Sequence, residues 1–129
     1  MAPPSCARNG RMSLWKWDKQ TGVASPATPD EHMAMFADPD SRTVARDYIE
    51  VGGVRLRVST VFLGQDHNFN GGPSPLLFEV MVFCQEDVPP VGFQEAQWRY
   101  PTAEEARAGH AKAIEWAKNF GWLPRGTPA

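Results

Sequence analysis

The chain has 129 residues, 42% of them hydrophobic and 11% aromatic with five tryptophans, enough apolar surface for one ordinary domain and too much for a chain disordered throughout. Thirteen basic and fifteen acidic residues give a formal charge of −2, and the basic ones are scattered singly, so neither nucleic acid nor an anionic membrane is expected as a partner. No apolar run is long enough to span a bilayer as a helix, the N-terminus lacks the apolar segment of a secretory signal, and Cys6 and Cys84 read as free thiols, which points to the cytoplasm and to no disulfide.

Residues 1–12, MAPPSCARNGRM, carry prolines, a glycine and arginines without periodicity and read as a flexible leader, with Met12 an alternative start of translation. One α+β domain is expected over 13–123, and a flexible tail over 124–129, after the last apolar position. Within the domain, Ser13 to Trp17 alternates as a short edge strand closed by the turn-like DKQTG. Thr28, Pro29 and Glu31 then form a capping-box signature that starts a short helix carrying Met33, Phe36 and Ala37, and Pro39 stops it by disfavouring helical geometry at Asp38.

TVARDYIEVGGVRLRVSTVFL, residues 43–63, predicts a central β-hairpin, because Gly52-Gly53 can take the positive φ angles of a two-residue turn. Closing that turn on Val51 and Val54 sets Glu50 opposite Arg55 and Ile49 opposite Leu56, with Leu56, Val58, Thr60 and Phe62 inward and Arg55, Arg57 and Ser59 outward. Pro75 to Gln85 is apolar on both faces apart from Glu79 and predicts the central strand, and Phe93 to Tyr100 a fourth. Thr102 and Glu105 cap a long C-terminal helix whose stripe holds Ala103, Ala106, His110, Ala113, Ile114 and Ala117 beside Gly109 and Trp116. The expected architecture is an antiparallel sheet of about four strands with a short N-terminal and a long C-terminal helix packed on one face.

Three segments, VSTVFLGQDHNF, GPSPLLFEVMVF and RYPTAEEARAGH, together resemble a family of small proteins of actinobacterial bacteriophages and prophages, over Leu14 to Lys118. The resemblance implies a phage or mobile-element setting, supplies no activity, and draws attention to Asp66, His67, Glu79, Gly109 and His110. Gln65 and Val80 depart from the family's usual Leu and Thr, which removes any catalytic Thr at position 80.

The candidate catalytic residues are Asp66, His67, His110 and Glu79. Asp66-His67 is the pattern of a carboxylate orienting an imidazole base, but the preferred reading is a polar turn in which Asp66, Asn68 and Asn70 build a loop ending at Gly71-Gly72-Pro73. His110, facing the core from an apolar stripe, needs a hydrogen-bond partner, expected to be His67, Asp66 or a loop carbonyl, which would make it a strut for that loop. Glu79 is expected to pair with Arg57, Arg55 or Arg99. Trp15, Trp17, Trp98, Tyr100, His67, Asn68 and Phe69 are the candidate contact residues, because partly exposed aromatics mark interfaces, and Trp122 belongs to the same aromatic excess. No metal-ligand spacing, phosphate loop or dinucleotide fingerprint occurs, so no cofactor and no metal is expected. The expected function is that of a non-catalytic accessory protein binding a host or phage protein or a second copy of itself. The alternative is a small hydrolase or transferase, or a ligand-binding domain, built on an Asp66/His67/His110 cleft.

Overall fold

The computed structural model describes residues 13–67 and 74–123. In chain order these form β1 (Trp15–Trp17), β2 (Ala24–Pro26), α1 (Pro29–Ala37), a 3-10 turn (Pro39–Arg42), β3 (Thr43–Val51), β4 (Val54–Phe62), β5 (Phe78–Cys84), β6 (Ala96–Tyr100) and α2 (Ala103–Lys118). Four strands make an antiparallel meander in the order β3-β4-β5-β6, and β1 pairs with β2 in a separate two-stranded ribbon.

The glycine turn sets the register of the larger sheet. Gly52 and Gly53 have φ of 59° and 79°, both in the left-handed region, and the hairpin closes on Val51 and Val54 with Glu50 opposite Arg55 and Ile49 opposite Leu56. The expected inward row of β4, Leu56, Val58, Thr60 and Phe62, is fully buried. Space is not the constraint at Gly53, where a Cβ would meet nothing within 4 Å; at Gly52 it would come within 2.9 Å of the Phe120 ring. Gly53→Val is therefore expected to destabilise through backbone strain alone, by about 1–2 kcal/mol. An unchanged denaturation midpoint would contradict this.

The long helix covers one face of the meander. Thr102 accepts the Glu105 N–H at 3.1 Å, and Ala103, Ala106, Gly109, His110, Ala113 and Ala117 are its buried residues, so nearly every core position is small and the helix lies close to the strands. Gly109 shows how close: a Cβ there would overlap the ring and hydroxyl of Tyr100. The helix ends in a Schellman arrangement, with the N–H of Gly121 on Trp116 O at 2.9 Å and that of Phe120 on Ala117 O at 3.1 Å. Unusually, the left-handed position is occupied by Phe120, at φ 59°, whose side chain packs against the main core cluster with Trp122.

The core has two centres. One joins Val51, Leu56, Val58, Val80, Val82, Ala113, Ala117 and Trp122; the other joins Phe62, Leu77, Phe78, Ala103 and Ala106, with Trp15, Trp17 and Met35 packed on it. The short helix has its expected capping box, Glu31 N–H on Thr28 Oγ1 at 3.2 Å and Thr28 N–H on Glu31 Oε1 at 3.0 Å, but buries no residue fully and meets the core through Met35.

Strand limits are tighter than the sequence suggested: β5 begins at Phe78 rather than Pro75, and β6 at Ala96 rather than Phe93. Prolines and the turn-forming segments before each strand delay pairing. The strand β2 was not anticipated, because three residues ending in a proline carry no periodic signal. No helix among the described residues is long and apolar enough to cross a membrane.

Candidate functional site

Beyond β4 the chain turns at Gly64, φ 78°, where any side chain would meet Phe36 at 2.8 Å and His32 at 3.0 Å from the short helix. The carbonyl of Gly64 accepts the Trp15 N–H at 2.9 Å, and Gln65 bridges Leu14, so the Asp-His segment is tied to the N-terminal ribbon. Asp66 is buried, 6% exposed, and its carboxylate accepts the Leu76 N–H at 3.0 Å. The His67 N–H bonds Leu76 O at 3.0 Å, and its ring Nδ1 donates to Gln65 O at 2.9 Å. These contacts staple the outgoing chain at Gln65–His67 to the returning chain at Leu76. Asp66 holds a backbone amide, as in the polar-turn alternative. Asn68, Phe69, Asn70 and Gly71-Gly72-Pro73 lie outside the described residues, as do Cys6 and both expected tails.

His110 does not reach this segment. Its Nδ1 lies 2.7 Å from Thr60 Oγ1 and its Nε2 2.7 Å from Asp47 Oδ2, so the expected link to Asp66, His67 or the loop is replaced by one to the hairpin. The reason is the register: Thr60 points inward in the middle of β4, Asp47 shares that face from β3, and the helix stripe lays His110 over both. The carboxylate accepts, so Nε2 carries a proton, and in a neutral ring the Thr60 hydroxyl donates to Nδ1. A hydroxyl, an imidazole and a carboxylate in line have the makings of a nucleophile triad, but exposure runs the wrong way: Thr60 is 0% exposed, whereas the Asp47 side chain is 54% exposed. A nucleophile triad presents the hydroxyl to substrate and buries the acid. Here nothing can approach the hydroxyl, and the three groups act as a polar tie between helix and hairpin.

Glu79 takes Arg99 from the expected set, with Arg99 Nε donating to Oε2 at 3.0 Å across the paired positions of β5 and β6. This pair lies on the sheet face opposite the long helix. Ser59, expected to point outward, does so, yet is 8% exposed. Beside it a groove of about 230 Å³ is lined by Arg46, Arg57, Val61, Glu79, Met81 and Phe83. Arg57 stacks its guanidinium 4.5 Å from the centre of the Phe83 ring, and its Nε is shielded from solvent with no hydrogen-bond acceptor among the described residues. Arg55 is instead held by Glu86, at 3.1 Å and 3.4 Å, which raises its pKa and lowers that of the glutamate.

The candidate contact aromatics among the described residues, Trp15, Trp17, Trp98 and Tyr100, are half-buried. Trp17 stacks on Phe62 at 5.8 Å, Trp98 meets Trp116 edge-on at 5.3 Å, Tyr100 lies over Gly109, and Trp122 is buried. Trp15 is half-buried against the second core centre, its indole N–H on Ser13 Oγ at 2.7 Å. Among the described residues the large apolar side chains most open to solvent are others, chief among them Tyr48, Met33, Val88 and Val91. Sequence reasoning also passed over His32, whose Nε2 is shielded and unpartnered beside Gly64, and over Asp47. Strict alternation from Ile49 would have placed Asp47 inward and required a partner for it.

Among the described residues no group of three or more His, Cys, Asp or Glu is placed to hold a metal ion. From the lack of metal-ligand spacing in the sequence, elemental analysis of the purified protein is expected to find no stoichiometric zinc or iron, and one equivalent per chain would contradict that. No family model, curated protein or solved structure matches the chain.

Proposed function

We propose that the chain is a non-catalytic binding protein that uses the face of its sheet that no described element covers, and that it serves a phage or prophage as an accessory factor. The observation that carries the binding half is a pairing of opposites. The hydroxyl-imidazole-carboxylate constellation of Thr60, His110 and Asp47 is sealed at its hydroxyl, while the sheet face that no described element covers presents Tyr48, 64% exposed, beside the arginine-lined groove. Exposed aromatics next to arginines are the composition of protein contact surfaces. The phage setting is supported by the three sequence segments that resemble phage proteins.

Site-specific photo-cross-linking tests the binding half. A photoreactive residue placed at Tyr48 is expected to capture a defined partner from host lysate, or a second copy of the chain, whereas the same residue at Lys112, on the exposed side of α2, is not. Equal capture at both positions, or none at Tyr48, would contradict the proposal.

A further inference from the structure

Taking the uncovered sheet face as the contact surface, we infer that its groove receives a carboxylate side chain, so that the partner is an acidic protein segment that seats one Glu or Asp between Arg57 and Arg46. The inference begins from the charges on this face. Arg99 is committed to Glu79 and Arg55 to Glu86, and their bonds close both pairs. Arg46 and Arg57 line the groove, and neither has an ion pair among the described residues. Register sets them diagonally: Arg46 lies opposite Ser59, and Tyr48 opposite Arg57. The groove's own carboxylate, Glu79, is held by Arg99, so an arriving anion would meet two guanidiniums on this face that are not already in an ion pair among the described residues.

Arg57 carries the inference further. Its guanidinium is already ordered by stacking on Phe83, yet its shielded Nε–H meets no acceptor among the described residues. A shielded donor without an acceptor is destabilising and rare, and a bidentate carboxylate is the group that best matches a guanidinium edge. Little side-chain entropy remains to be lost when such a partner docks, because the ring holds the fork in place.

The walls choose among anions. Val61, Met81 and the Phe83 ring line the same groove, which suits an aliphatic stem ending in a carboxylate better than a hydrated phosphate. Its volume of about 230 Å³ falls under the ~300–1,000 Å³ of sites that enclose whole small molecules, and fits one side chain of a larger partner. A polyanion is disfavoured by the chain's net charge of −2 and by the carboxylates of Glu50, Glu79 and Glu86 on or beside this face.

The experiment is an NMR titration of the isotope-labelled full chain with a blocked peptide that carries Leu-Glu-Leu between Gly-Ser arms. Controls replace the Glu by Gln, and further arms use inorganic phosphate and a single-stranded oligonucleotide. The Glu peptide is expected to shift the Arg57 Nε–H and the amides around Arg46 and Ser59, with affinity falling about tenfold or more for the Gln peptide and for Arg57→Gln protein. Equal binding of the Gln peptide, no shifts with the Glu peptide, or the same shifts from phosphate or the oligonucleotide would overturn the inference. Photo-capture at Tyr48 is repeated with Arg46→Gln/Arg57→Gln protein and is expected to be lost. Capture that persists undiminished would overturn the carboxylate site while leaving the binding proposal standing, and absence of capture by the unaltered chain would remove the binding proposal itself.

Discussion

Replacing Gly109 with alanine is expected to lower stability, although glycine inside a helix ordinarily costs about 1 kcal/mol against alanine. A Cβ at this position would overlap the ring and hydroxyl of Tyr100, which lies under the helix at the end of β6 and packs on both core centres. Overpacking of that kind typically costs about 1–3 kcal/mol and outweighs the propensity gain of about 1 kcal/mol, so Gly109→Ala should come out destabilising, by up to about 2 kcal/mol in urea denaturation. The sign should reverse once the ring is removed: in a Tyr100→Ala background, Gly109→Ala is expected to be neutral or to stabilise by up to about 1 kcal/mol. An equal loss in both backgrounds would mean that the glycine serves something other than the approach of Tyr100.

That pair also shows how much of the molecule was legible in the residues. Glycine on an otherwise helical stripe implies that something presses on the backbone there, and something does; which residue it is depended on β6 delivering Tyr100 opposite Phe78, a pairing of strands that local patterns do not encode. The hairpin was fully legible, because a Gly-Gly turn and alternating side chains specify register from within one segment. Thr28 and Thr102 were legible as helix starts for the same reason. The helix end was not, since Phe120 occupies the left-handed position that a glycine usually marks. Glu79 found one of its three expected partners because cross-strand neighbours in a meander are few. His110 was legible as a histidine in need of partners, but Asp66 and His67 were more conspicuous than the right ones: an Asp-His dipeptide draws the eye, whereas Asp47 sits unmarked between Arg46 and Tyr48 and acquires its role only when α2 crosses the hairpin. The groove beside Arg57 was invisible for a different reason. Its arginines are spread over β3 and β4, with the walls on β4 and β5, so no stretch of sequence shows them together.

The second large effect is expected at His110. Truncation to alanine removes the ring that joins the buried Thr60 hydroxyl to Asp47, at 2.7 Å on each side, and leaves the hydroxyl with no acceptor in a place that is 0% exposed. The unsatisfied group alone costs on the order of 1–3 kcal/mol, and the space left by the imidazole adds to it. His67→Ala should cost much less, since its ring bonds a nearby carbonyl, that of Gln65, and is only half-buried. Asp47→Asn keeps an acceptor for the Nε2 proton at a position whose side chain is 54% exposed, so its effect should stay below about 1 kcal/mol. Thr60→Val removes the hydroxyl while keeping its shape, and in that background His110→Ala no longer strands a buried polar group; the double variant is therefore expected to lose less than the sum of the single ones, by about 1 kcal/mol or more. Strict additivity would show that the 2.7 Å contact contributes nothing. Cross-linking through Tyr48 should fall with His110→Ala only in proportion to the unfolded fraction, because the ring lies on the helix side of the sheet and the proposed contact surface on the other. A folded His110→Ala protein, with an unchanged midpoint and no capture, would place the histidine in the working surface and end its role as a tie.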